Sequence, residues 1–283
     1  MFAMNRCDYR VSSAMKRLMM VFTLFAAPAA AQTADSTGGE SAPPIQDNSF
    51  LVEEAYNQEA GVVQHIVTFY RPTRQKDFEI GFAQEWPIGS IRHQLSFDLP
   101  LLRQSSTTGV GDIGINYRNQ LVGDGTTRLA VSPRLSLLLP TGDWRNSRGN
   151  GATGLEVNLP VSYVLSPHVV THLNAGASYV PSARNPIGDR ANISEWSVGQ
   201  SLILTTSRAI QPMLEAVFSR GQEVTGDDRA EWSNTTLIAP GVRGAFNFPS
   251  GLQIVPGISV PIGIGSSREY RGIFLYLSVE HGF

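Results

Sequence analysis

The sequence predicts an all-β fold, a transmembrane antiparallel up-and-down β-barrel of about twelve strands. Three observations predict it. Hydrophobic residues make up 42% of the chain, yet they are spread in short alternating pieces instead of one long run. The connections between these pieces alternate between short and long. The chain closes on an alternating piece, "GIFLYLSVEHGF", whose last residue is Phe283.

The period switches to two at about Ala60 and stays there, the pattern of a strand with unlike faces. In "HQLSFDLP", Leu95, Phe97 and Leu99 oppose Gln94, Ser96 and Asp98. In "LEVNLPVSYVL", Leu155, Val157, Leu159 and Val161 oppose Glu156, Asn158 and Ser162. Twelve such segments fall near 60–70, 78–86, 91–100, 109–121, 128–139, 154–165, 169–179, 194–205, 210–219, 235–248, 252–262 and 270–283. Most reach the roughly 9 to 11 residues that a tilted membrane strand needs, and no run of about 18 apolar residues exists to make a membrane helix. Charged residues are only 16% of the chain, too few for a disordered one of this apolar content.

Every second connection is short: 87–90, 122–127, 166–168, 206–209 and 249–251. The others run longer and more polar, as in "TGDWRNSRGNGAT", "PSARNPIGDRANIS" and "RGQEVTGDDRAEW". Sorted onto opposite ends of an even number of strands, they match the turns and outer loops of an outer-membrane barrel with both termini periplasmic. The last strand must then close the barrel, because an open edge in lipid leaves backbone groups unsatisfied. Phe283 resembles the terminal aromatic of the assembly signal read by the barrel-insertion machinery, although His281 stands where a hydrophobe is usual. Pro133, Pro160, Pro212, Pro240, Pro256 and Pro261 fall inside predicted strands and are expected at bulges or strand ends.

The front of the chain reads as targeting. Lys16 and Arg17 precede the apolar run 18–27, and Ala29, Ala30 and Ala31 offer a cleavage site, so residues 1–31 have the build of a secretory signal for a Gram-negative cell. Met15 is an alternative start, with Met1 to Ala14 an over-called extension. Cleavage removes Cys7, the one cysteine, and with it disulfide, zinc-thiolate and thiol-nucleophile chemistry. It takes Lys+Arg from 22 to 18 and Asp+Glu from 24 to 23, a net charge of about −5 that carries no basic nucleic-acid footprint. Residues 32–59 form a flexible lead-in, of which 50–59, "FLVEEAYNQE", is the one stretch of the mature chain with a helical reading. The barrel itself spans 60–283.

"GNGATG", residues 149–154, fits G-x-G-x-x-G, but a strand pattern follows it where a nucleotide site needs a helix. No Ser, His and acid constellation stands out, and His172, Asn174, Glu79, Glu85, Asp227 and Asp228 read as ordinary satisfied or solvated groups. Strand parity turns Arg92, Asp98, Asp112, Arg118, Arg134, Glu156, Glu215, Arg243 and Glu280 into the barrel. Mixed charge of this kind either lines a wet channel or forms a salt-bridged plug, and both remain open. Tyr70, Trp86, Tyr179, Trp196 and Phe248 sit near strand ends, where interfacial girdles form.

The stretches "VGDIGINYRNQL", "RLSLLLPTGDWRNSRGNGATG" and "GVRGAFNFPSGLQIVPGISVPIGIG" resemble the outer-membrane family named for the phenol meta-cleavage degradation pathway, with the likeness running from about Phe50 to Phe283. The resemblance implies a transporter barrel, in some members tied to aromatic degradation, with no catalytic residue and no cofactor or metal ligand to carry over. The expected function is a channel or transporter for small compounds, aromatic or otherwise apolar. The alternatives are a structural barrel with an occluded lumen and an outer-membrane hydrolase. Expected partners are outer-membrane lipid, the insertion machinery and small-molecule cargo, and no nucleic acid. Deleting Phe283, or replacing it with Asp, should lower the amount of barrel reaching the outer membrane, measured by immunoblot of membrane fractions; unchanged levels would reduce it to a lipid contact.

Overall fold

The computed structural model describes residues 47–283 apart from Ser105 and Arg208. The expected signal peptide and the first part of the lead-in, 32–46, lie outside the described residues. Twelve antiparallel strands close on themselves. They are β1 (Val62–Pro72), β2 (Phe78–Ile88), β3 (Ser90–Gln104), β4 (Thr107–Val110 and Ile113–Asn119), β5 (Leu129–Val131 and Arg134–Leu139) and β6 (Gly154–Ser166). Next come β7 (Val169–Arg184), β8 (Arg190–Leu204), β9 (Gln211–Gly226), β10 (Arg229–Arg243), β11 (Gln253–Ser259 and Ile262–Gly263) and β12 (Gly272–Gly282). Each pairs with its neighbours in sequence, and β12 returns to β1 in an unbroken ladder from Val62↔Gly282 to Pro72↔Gly272. No edge remains to be satisfied, which is the condition for a sheet in lipid.

Alternation carries over to the two faces of the wall. On β12, Ile273, Leu275 and Leu277 are exposed on the outer face, while Phe274, Tyr276, Ser278 and Glu280 are buried inside. On β6, Leu155, Val157 and Leu159 face out and Glu156, Asn158 and Ser162 face in. Tyr70 departs from the expected girdle: it is buried inside, its ring lying where a Cβ on Gly272 would come within 2.4 Å of it.

The six prolines fall where the ladder lapses, and four of them do so in two facing pairs. Ser132 and Pro133 interrupt β5 opposite Pro160 of β6, with Val131↔Val161 and Arg134↔Asn158 holding the same register on either side. Val260 and Pro261 interrupt β11 opposite Pro240 of β10, between Ile238↔Ile262 and Gly241↔Ser259. A missing N–H costs a ladder bond, and placing two prolines across from each other confines that loss to one short break. Pro212 and Pro256 lie just beyond the last partners that β8 and β10 offer them.

Two of the three expected long loops are mostly strand. β7 and β8 continue to Arg184 and from Arg190, and β9 and β10 to Gly226 and from Arg229, leaving only 185–189 and 227–228 as connections. Beyond the apolar band neither face meets lipid, so the alternation that marks a strand is lost although pairing continues. The helix expected over 50–59 is also absent; this stretch is irregular chain inside the barrel. Leu137 is exposed in mid-strand on the outer face of β5, so Leu137→Arg should cost about 2–4 kcal/mol in reversible unfolding from lipid vesicles.

Candidate functional site

The interior of the barrel holds its own chain. From Asp47 to Gln58 every residue is buried, and the segment makes one circuit of the inner wall. Gln58 N–H donates to Gln94 Oε1 of β3 at 2.7 Å, and Asn57 N–H to Gln120 Oε1 beyond β4 at 2.9 Å. The same Gln120 donates its amide to Ala55 O at 2.8 Å, while Ala55 N–H reaches Ser162 Oγ of β6 at 2.7 Å. Asn174 of β7 accepts from Glu53 N–H and donates to Glu53 O, both at 2.8 Å. Glu215 Oε1 of β9 accepts three consecutive N–H groups, those of Phe50, Leu51 and Val52, at 3.1, 2.7 and 3.1 Å. Arg243 of β10 donates to the carbonyls of Asp47 and Asn48, and Arg118 of β4 to that of Glu54. Gln64 of β1 joins the two ends of the circuit, accepting from Gln58 Nε2 at 2.7 Å and donating to Asp47 Oδ1 at 3.2 Å.

A segment without helix or ladder has no backbone partners of its own, and burial makes unpaired groups costly. Here every N–H from Phe50 to Ala55, and those of Asn57 and Gln58, ends on a side-chain acceptor. Apolar packing adds to this. The Phe50 ring meets Phe274 and Tyr276 edge-on at centroid distances of 5.9 and 6.1 Å. It rests on Gly241 and Gly257, where an added Cβ would approach the ring to 2.4 Å in each case.

Arg134 is the charged anchor. Its Nη2 lies 2.9 Å from Glu53 on the segment and 2.6 Å from Glu156 on β6, while Nη1 donates to Asn116 at 3.0 Å and Ser136 at 2.9 Å. Beyond the segment, toward the barrel end away from Val62 and Gly282, the lumen opens into a cavity of about 790 Å³ counted out to its mouth. Phe50, Val52 and Glu53 form its floor, and the inner faces of β1 to β6 its sides.

The connection 140–153 stands over this rim. Asp112 accepts from Gly142 N–H at 3.0 Å and Asn150 N–H at 2.7 Å. A Cβ on Gly149 would come within 2.3 Å of its carboxylate, so "GNGATG" serves a close approach of loop to wall, and β6 follows it. At the tip, Asp143 caps the short turn Trp144–Asn146, and the Asn146 amide hydrogen-bonded to it holds its carboxyl below the usual range. The guanidinium groups of Arg145 and Arg184 lie 4.2 and 5.2 Å from the centre of the Trp144 ring.

Of the residues turned inward by parity, Arg118, Arg134, Glu156, Glu215, Arg243 and Glu280 are buried in the interior. Asp98 is half-buried on the cavity wall, accepting from Asn116 Nδ2 at 2.8 Å, and Asp112 sits at the rim. Arg92 corrects the expectation: it shares the inward parity but is exposed, because β3 begins there and its face opens to solvent. Phe283 follows β12 and is 75% exposed, its N–H bonded to Gly61 O at 2.9 Å. Sequence reasoning missed the segment itself, with Phe50, Glu53 and Glu54, and the amides Gln94, Gln120 and Asn174 that hold it. A signal was present in the inward glycines Gly241 and Gly257 and the run of inward amides, which together describe a wall shaped to take main chain.

His172, read as an ordinary polar group, has its Nδ1 2.7 Å from Ser162 Oγ. That hydroxyl also accepts from Ala55 N–H, and His172 Nε2 has no hydrogen-bond partner among the described residues, so no acid orients the ring.

No protein-family model matches the chain, and no curated protein matches it. Among solved structures it is similar to the COG4313 outer membrane channel from Pseudomonas putida F1, with a TM-score of 0.59 at 12% identity, over 81% of this chain and 98% of that one. It is similar also to the NanC porin, with a TM-score of 0.51 at 8% identity, over 78% of this chain and 100% of that one. Identities this low speak to fold, and the fold is that of an outer-membrane β-barrel.

Removing one partner of a buried ion pair leaves the other uncompensated, at about 3–5 kcal/mol. Arg134→Met should therefore destabilise the barrel by about that much in urea melts, and adding Glu53→Gln and Glu156→Gln should recover most of the loss. A single substitution that melts like the parent would remove Arg134 from the anchor.

Proposed function

We propose that the chain is an outer-membrane channel for small compounds whose resting lumen is closed by its own segment 47–58, with both termini periplasmic. The observation that carries this reading is the way the segment is held. It is bound by wall side chains at its backbone and is not built into the sheet, so the wall keeps all its ladder bonds whether or not the segment is present. The cavity above it supports the reading, as do the names of the similar structures, a channel and a porin. Aromatic or otherwise apolar cargo, which the resemblance to the phenol-pathway family implies, suits a floor made by Phe50 and Val52.

The second reading, a structural barrel that never opens, is favoured by the number of bonds that hold the segment. The hydrolase reading has only the Ser162 and His172 pair, which is buried beneath the segment and lacks an acid. In planar bilayers the full-length barrel should conduct rarely and in brief openings, and a chain lacking 47–58 should give a steady conductance many times larger. Silence from both, with the shortened barrel still heat-modifiable on gels, would favour the structural reading.

A further inference from the structure

The histidine that interrupts the terminal pattern has a partner across the seam. On β12 the outward positions run Ile273, Leu275, Leu277, Val279 and His281, so His281 ends an otherwise apolar row. On β1 the outward row that includes Val67 also carries His65. In the ladder that closes the barrel, Val63 stands across from His281 and His65 across from Val279, which sets the two histidines on one diagonal of the outer face. Long side chains reach each other along such a diagonal. Here the rings meet, with His65 Nε2 3.3 Å from His281 Nε2.

They meet as two ligands of one ion do. The ring centres are 5.3 Å apart against 3.3 Å between the nitrogens, and the planes are inclined by 25°, so the rings point nitrogen first at each other and do not overlap face to face. His281 Nδ1 lies 2.8 Å from Gly282 O. A carbonyl only accepts, so the neutral ring keeps its proton on Nδ1 and turns the Nε2 lone pair toward His65. A backbone carbonyl at the far nitrogen is a common outer support of a metal-bound histidine. The separation points the same way. Two nitrogens each about 2.0–2.1 Å from a zinc ion at the tetrahedral angle stand about 3.3–3.4 Å apart. Cis ligands of a square-planar or octahedral ion with the same bond lengths stand about 2.8–3.0 Å apart, and a hydrogen bond from N–H spans roughly 2.7–3.2 Å. The observed spacing matches the tetrahedral case.

We propose that His65 and His281 form a zinc site on the outer surface of the barrel, a clasp between its first and last strands. The wall supplies two imidazoles, and no group of three His, Cys, Asp or Glu among the described residues adds a third ligand, so water fills the remaining positions. The rings are only part-buried, close to the end of the barrel that holds Val62 and Gly282, where water reaches them. Such an open site exchanges its ion, unlike a structural site closed by four protein ligands. The two nitrogens come together only when β1 and β12 are paired, so bound zinc stabilises the closed seam by mass action. The site lies outside the lumen, and the inference is independent of whether the lumen opens.

The experiment is calorimetric titration of Zn²⁺ into the full-length barrel, refolded in detergent without a polyhistidine tag and stripped with chelator. One ion per barrel should bind, and Mg²⁺, which prefers oxygen ligands, should not compete. His65→Gln and His281→Leu should each weaken zinc binding at least tenfold, and the double substitution should weaken it no further, because either loss already breaks the pair. His281→Leu restores a hydrophobe to the terminal row; if that variant does not refold, His65→Gln, which leaves the row as it is, supplies the comparison. Zinc should also raise the temperature at which the folded gel band is lost, for the parent and not for the variants. No zinc binding by the parent, binding that a folded variant retains, or a parent that binds zinc and melts no higher for it would overturn the proposal.

Discussion

The structure turns on one constraint, that main chain buried without a ladder or helix must find its hydrogen-bond partners elsewhere. Residues 47–58 lie inside a closed barrel and form neither element, so most of their N–H groups depend on what the wall presents, while those of Asn48 and Glu54 end on side chains of the segment itself. The wall presents side chains in the right order, one strand after another. Glu215 takes three N–H groups on one oxygen, Asn174 pairs with both backbone groups of Glu53, and Gln120 clamps Ala55 and Asn57 from either side. Arg118 and Arg243 complete the pattern by donating to carbonyls, the one role that acids cannot fill.

The rest of the barrel accommodates this arrangement. Small residues on the inner face at Gly241 and Gly257 make room for Phe50, and a Cβ on Gly199 would approach Val52 to 3.1 Å. Around the segment, Arg118 and Arg243 are bound to its carbonyls, and Arg134 is held between Glu53 and Glu156. Burying the Arg134 group is tolerable because its charge is answered on both sides.

The proline arrangement shows a similar economy in the wall. Pro133 faces the break beside Pro160, and Pro240 faces the one beside Pro261. Each pair leaves the register untouched, so inward and outward faces keep their identity on both sides of the break. A slip of one residue would have turned every later side chain to the wrong face.

The barrel was legible from the chain because alternation is a local property: a residue's face follows from its neighbours two positions away. Strand number, the closing strand and most inward charges follow from that rule, and it fails where its physical cause is absent. Arg92 keeps the parity but lies at a strand end, Tyr70 points inward from a girdle position, and the strands beyond the apolar band read as loops because no lipid imposes two faces there. By itself, then, the sequence determined a closed antiparallel barrel and which side of each strand is apolar. Only the tertiary structure decided that "FLVEEAYNQE" is the filling of the barrel, because most of the wall side chains that hydrogen-bond its backbone lie 36 to 165 residues away in the chain and no short window contains them.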